Sequence, residues 1–384
     1  MKRLKKEKAI TLVALVITIV ILLILAGISI STLTNTGIFE KAKEAKKASE
    51  NAEKEQNKLL EQYREQLNKY MPEELTDDKI NKVLSQTENT FLKDTNGNSF
   101  TLPAGFKVVV NDNTNNAKTV DKGIVIEDAT ENENGQPTLT NGSQFVWVPV
   151  GTVKKDDGTI VEIKLDRYTF EDDGTPIQQG DKIIENYYQE LENSNKKNTC
   201  AKNIKEFKKN TVENNGYYIG RYEARTVKER NSEKEDLAQI TEKKSDSIYN
   251  FVTQPQAATL SSNMYNNNEF TSDLINSYAW DTAIVFIQEF GKVKNYAKQK
   301  SLNDTLLING TDDDVQCNIF DISSNVVEWT TEYSSKINDG KDYSCVNRGG
   351  YCFLKLNYSC FRNDADNLFS VERVGFRPII YMNN

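Results

Sequence analysis

Residues 318–330 read NIFDISSNVVEWT, and two shorter runs follow: NRGG at 347–350 and VGFRP at 374–378. Asp321 and Glu328 stand seven apart in the first run, with Asn325 between them. A hard cation such as calcium takes carboxylate and carbonyl oxygens from a compact, curved backbone. A loop that gathers Asp321, Glu328 and the carbonyls between them can supply such oxygens. Surface carboxylates flanking a strand have the same spacing, so the residues alone leave both readings open.

Composition narrows the chemistry. The chain has 384 residues, 48 Lys and Arg against 56 Asp and Glu, a net charge of −8 and no histidine. Without histidine there are no imidazole triads, no imidazole metal ligands and no imidazole general base. The first eight residues are basic, and the acid is concentrated beyond residue 70. Nucleic acid is therefore excluded as a partner, since phosphate binding needs a basic face. The five cysteines (200, 317, 345, 352 and 360) form no CxxC pair, which argues against a structural zinc site. Disulfides and small buried side chains both remain open for them.

Residues 9–30, AITLVALVITIVILLILAGISI, carry no charge. As a helix they would span roughly 33 Å, enough for a hydrocarbon core of ~30 Å. With the basic leader retained in the cytoplasm, this predicts a single-pass cell-membrane protein whose C-terminal part is extracellular. The run KAITLVALVITI (8–19) resembles the start of type IV prepilins, with Ala9 in place of the family's Gly and Ala14 in place of its Glu. That resemblance implies a pilin-like anchor and a pilus-like assembly as a partner. Residues 38–70 continue as a polar helix with apolar positions at three- and four-residue steps, ended by Met71–Pro72.

A short helix is expected over 77–86, capped by Thr76. Strand-like runs follow at 106–110, 124–127, 144–150 and 217–223. Residues 151–215 read as loops, and 226–247 as a charged surface excursion. A helix is expected over 274–290, starting near Ser272 or Asp273.

Residues 321–330, DISSNVVEWT, followed by Arg348–Gly349–Gly350 and Gly375–Phe376–Arg377, resemble the signature of the formylglycine-generating enzyme (sulfatase-modifying factor) family, a variant of the C-type lectin fold. YYIGRYE (217–223) and SYAWDTAIVFI (277–287) resemble two further segments of that family. The resemblance implies a calcium site formed by the Asp321 and Glu328 side chains and the Ser324 and Val326 carbonyls, with calcium as cofactor. It does not carry over the catalytic thiols. The family's two active cysteines fall on Leu354 and Ser359, whereas Cys352 and Cys360 stand two and ten residues after Gly350.

A binding head is therefore expected in place of an oxidase. Tyr351, Phe353, Asn357, Tyr358, Arg362 and Asn363 combine aromatic and adaptable polar groups suited to an extracellular protein or glycan ligand; strand packing of the same aromatics is the alternative. The expected fold class is α+β: a transmembrane helix and helical stalk followed by a formylglycine-generating-enzyme-like, C-type lectin-type head. The expected boundaries are a leader (1–8), a transmembrane helix (9–31), a stalk (32–72), a linker with a short helix (73–90) and the head (91–384). The expected function is a membrane-anchored bacterial surface protein with a non-catalytic head. A cysteine-dependent oxidase and a minor pilin are the alternatives.

Overall fold

A computed structural model describes residues 15–23, 38–69, 71–110, 117–129, 142–190, 203–232, 240–244, 246–301, 304–307, 313–338, 341–352 and 357–383. The chain divides into two compact units, Met1–Met71 and Pro72–Asn384.

In the first unit, residues 15–23 are helical, and helix α1 covers Ile38–Lys69. Helix α1 has no Gly or Pro and is rich in Ala, Glu, Lys and Gln, all good helix formers. Its exposed Lys46–Glu50 pair adds a few tenths of a kcal/mol. Among the described residues, no helix is long and apolar enough to cross a membrane. This corrects the expected transmembrane helix over 9–31, and with it the single-pass localisation. The described helical piece of that run has a length of about 14 Å, under half a hydrocarbon core. The rest of 9–31 lies outside the described residues, as do the leader and most of the prepilin-like run.

The fold class is also corrected. Among the described residues strand outweighs helix. Two of the causes are local. Residues 151–215, read as loops, contain the hairpins Gly151–Lys154/Ile160–Ile163 and Tyr168–Phe170/Pro176–Gln178. Their exposed faces lowered the hydrophobicity that marks strands. The expected helix over 77–86 is a run of turns, with Asn81 in the left-handed region at φ 61°.

The second unit is built on two sheets. The first uses β1 (Phe106–Val108), β2 (Val125–Asp128) and β3 (Gln144–Pro149), and later β5 (Gly216–Gly220), β6 (Phe270–Leu274) and β11 (Pro378–Met382). Its order is β6-β11-β5-β3-β2-β1, antiparallel throughout. The second uses β4 (Tyr188–Glu190), β7 (Val327–Ser334), β8 (Cys345–Arg348), β9 (Arg362–Ala365) and β10 (Val374–Phe376). Its order is β4-β7-β8-β9, with β10 parallel to the start of β7.

Three helices cover these sheets. Helix α2 (Ile204–Glu213) packs on β5 and β11, and α3 (Gln254–Ser262) on β6 and β7. Helix α4 (Ser277–Phe290) meets β3 and β7. Leu274 and Ile275 fit the apolar spacing of α4, yet Leu274 ends β6. The cap is Asn276, whose side chain accepts from Ala279 N, rather than Ser272 or Asp273. Trp147, Trp280 and Trp329 are all buried in one core. Trp280 donates to Ser359 O and Trp329 to Val252 O, each at 2.9 Å.

Candidate functional site

The 318–330 run folds around a residue that precedes it. Asp314 is buried, and its Oδ2 accepts from Ser323 N at 2.8 Å, Ser323 Oγ at 2.8 Å and Ser324 Oγ at 3.2 Å. Its Oδ1 accepts from the Tyr296 hydroxyl at 2.8 Å. Burial raises its carboxyl, against these four hydrogen bonds. The loop also needs unusual backbone: Asp321 and Asn325 sit at φ 61° and 67°. Asp and Asn tolerate this region better than other non-glycine residues.

The four expected calcium ligands are all buried, and the two carboxylates have different surroundings. Asp321 Oδ1 shares the Ser324 hydroxyl with Asp314 Oδ2, each 3.2 Å away. Glu328 faces Arg377, whose Nη2 and Nε donate to its two oxygens at 2.7 and 3.0 Å. Arg377 Nη1 and Nη2 also donate to Gly220 O and Phe320 O. Burial raises Glu328, and the Arg377 guanidinium opposes that rise. Glu223, which sequence reasoning passed over, accepts from Asn325 Nδ2 at 2.8 Å and Val326 N at 3.1 Å. Among the described residues, no group of three or more Cys, Asp or Glu is arranged to hold a metal ion.

The RGG run holds the second layer. Gly349 has φ 88°, and a Cβ there would lie 2.7 Å from Ile322 O. A Cβ on Gly350 would collide with Ser323 O. Both glycines therefore let β8 leave its strand directly against the 318–330 loop. Arg348 turns inward, with Nη2 2.5 Å from Asp281 Oδ1 and Nη1 3.1 Å from Glu332 Oε2.

Arg362 joins the same network. Its Nη2 lies 2.5 Å from Asp281 Oδ2 and its Nε 3.0 Å from Glu332 Oε1. Arg167 adds a third guanidinium, 2.5 Å from Glu332 Oε1. Burial alone would raise Glu332. Arg362, Arg167 and Arg348 together reverse this and hold its carboxyl at about 2. Arg362 is thus committed to the interior network. Asp281 and Glu332 were visible only as parts of SYAWD and EWTTE.

The other expected contact residues separate into layers. Tyr358 is half-buried, with Lys298 Nζ 5.6 Å and Lys300 Nζ 5.2 Å from its ring centre. Both are within cation–π range. Asn357 and Tyr351 are partly exposed, and Arg373 stands 5.9 Å over the Tyr351 ring. Asn363 is exposed on β9 and donates to Asn347 Oδ1 at 3.1 Å. Phe353 lies outside the described residues. Sequence reasoning missed Leu368, which is 68% exposed beside the exposed Phe369. Asp366 presents this pair by accepting from Leu368 N at its side chain and Phe369 N at its carbonyl. An Asx-turn reading of DNLF could have found it.

Among the described residues no disulfide joins Cys317, Cys345, Cys352 and Cys360; Cys345 and Cys352 are buried, and Cys317 and Cys360 partly so. Burial pushes Cys317 up to about 12 and also raises Cys360. A nucleophilic or metal-binding cysteine needs the opposite shift.

No family model matches the chain, and no curated protein matches it. Among solved structures it is similar to Treponema denticola variable protein 1, with 14% identity, coverage of 63% of this chain and 97% of that one, and a TM-score of 0.36. That likeness is too distant to bear on fold or function.

Proposed function

We propose that the Pro72–Asn384 unit is a non-catalytic binding module, resembling the formylglycine-generating-enzyme variant of the lectin fold, that uses the face around Asn357, Tyr358 and Asn363. The observation that carries this reading is the division of labour within 348–363. Arg348 and Arg362 are locked below by Asp281 and Glu332, while Tyr358 stands at the surface between two lysines. A rigid base under an adaptable aromatic and polar surface suits recognition. The two lysines favour a protein or glycan with acidic groups, because like charges would be repelled.

The oxidase alternative is disfavoured by the state of the thiols. Such a reaction needs converging thiolates, and burial holds Cys360 protonated. Incubating the full chain with copper and a cysteine-containing peptide tests this. Oxidation that disappears in Cys360→Ser would overturn the binding reading. Calcium does not fit the four residues as arranged, since Arg377 occupies both oxygens of Glu328. Binding at the Tyr358 face is therefore proposed to be calcium-independent, and a chelator should leave it unchanged.

A further inference from the structure

Helix α1 (Ile38–Lys69) has 32 residues, and every described side chain on it is exposed except Ala45 and Ala52, which are half-buried. Leu59 is 52% exposed and Leu60 45%. Helices in proteins draw most of their stability from packing one face against a partner. The polar surface of α1 does not substitute for one: its Lys46–Glu50 pair is exposed and 4.0 Å long, and such a pair contributes little.

The face itself has a seven-residue repeat. Ala42, Ala45, Ser49, Ala52, Gln56 and Leu59 recur at alternating steps of three and four, the spacing that keeps one seam toward a second helix. Size and charge both change along this seam. Its first half carries Ala and Ser, and its second half ends in Gln56 and Leu59. Residues 38–48 hold four Lys and two Glu, and residues 49–62 hold four Glu and two Lys. A run of small residues alone would specify nothing. The two gradients say which partner fits, and in which direction.

We propose that α1 pairs antiparallel with α1 of a second copy of this chain. With the copies centred between Ser49 and Ala52, Ser49 comes level with the second copy's Ala52, Ala45 with its Gln56, and position 42 with its Leu59. Each larger group is then set against a small one, and each basic half against an acidic half. Lys46 and Glu53 flank the seam on the same side, so they meet across the pair twice. A parallel pair would set Ala against Ala and the basic halves together, with Lys41 beside the second copy's Lys46. Like charges brought together oppose association. The seam is thin, because Ala, Ser and Gln bury little apolar surface, and the affinity therefore falls in the micromolar range. Dimerisation does not rest on the binding reading. It extends that reading, since two linked binding units raise avidity for a multivalent ligand.

The test is sedimentation equilibrium of the full chain across the micromolar range, at low and high salt. Reversible monomer–dimer association is expected, weakening as salt rises. Lys46 and Glu53 are exposed, so substituting them leaves the fold intact. Lys46→Glu should weaken association about tenfold, and adding Glu53→Lys should restore it. A parallel pair predicts the opposite for Lys46→Glu, which would relieve the contact with Lys41 and strengthen association. A chain that stays monomeric throughout, association strengthened or unchanged by Lys46→Glu, or a double variant no tighter than the single one would overturn the proposal.

Discussion

Arg377 holds Glu328 with two nitrogens, at 2.7 and 3.0 Å, where neither side chain is more than 1% exposed. The pair fastens β10 and the residue following it to β7, which already run parallel with Glu328 opposite Gly375. Removing one partner leaves the other buried and uncompensated. Glu328→Gln is expected to cost about 3–5 kcal/mol, read by urea unfolding. A loss under about 1 kcal/mol would mean that the pair is not part of the framework.

Gly350→Ala places a methyl group against the Ser323 carbonyl, which is itself fixed by the Asp314 loop. The neighbour is backbone and cannot rotate away. A destabilisation on the order of 3 kcal/mol is expected, whereas Gly97→Ala meets only its own positive φ of 85° and should cost less. Melting temperatures of the two variants decide the order.

Much of the first sheet was legible from sequence, because its strands carry dense Val, Ile and aromatic runs bounded by Asn, Asp and Gly. The 318–377 run was legible as a unit, but the reason for its glycines was not. Gly350 is required by a carbonyl 27 residues earlier in the chain, and no local pattern reveals such a contact. Arg362 and Asn363 were grouped as surface residues although neighbours on a strand face opposite sides; that alternation sends Arg362 inward. Asp314 is the last of three consecutive acids, 312–314, and only its four bonds show that the loop is wound on it. At 274–275 apolar spacing continued through a strand end, so the periodicity overran the cap at Asn276.

Two carboxylates, Glu332 buried and Glu190 partly buried, give opposite pH dependences. Glu332 is depressed to about 2, so its stabilisation is present above the ordinary carboxylate value and lost as pH falls through about 2. Glu190 is raised to about 7, so its penalty is absent below the ordinary value and complete above about 7. Stability should therefore fall as pH rises from the ordinary carboxylate range toward 7. Glu190→Gln should remove part of that fall, on the order of 1–2 kcal/mol because the side chain is only partly buried. Urea unfolding across this range provides the measurement, and an unchanged slope in the variant would reject the assignment.

The thiols should be slow to react while the chain is folded. In a Cys200→Ser background, the four remaining cysteines are those whose burial is described. A thiol-specific reagent just above neutral pH should label them at least about tenfold faster after unfolding. Rapid labelling of Cys360 in the native state would revive the oxidase reading.

The most direct measurement compares the full chain with Tyr358→Ala and Asn363→Ala on an array of acidic glycans and peptides. Both variants should melt within a few degrees of the parent, because neither side chain is fully buried. The account predicts at least one ligand whose affinity falls about tenfold or more in Tyr358→Ala, with retention unaffected by a chelator. Ligands bound equally by parent and both variants, or no ligand at all, would contradict it.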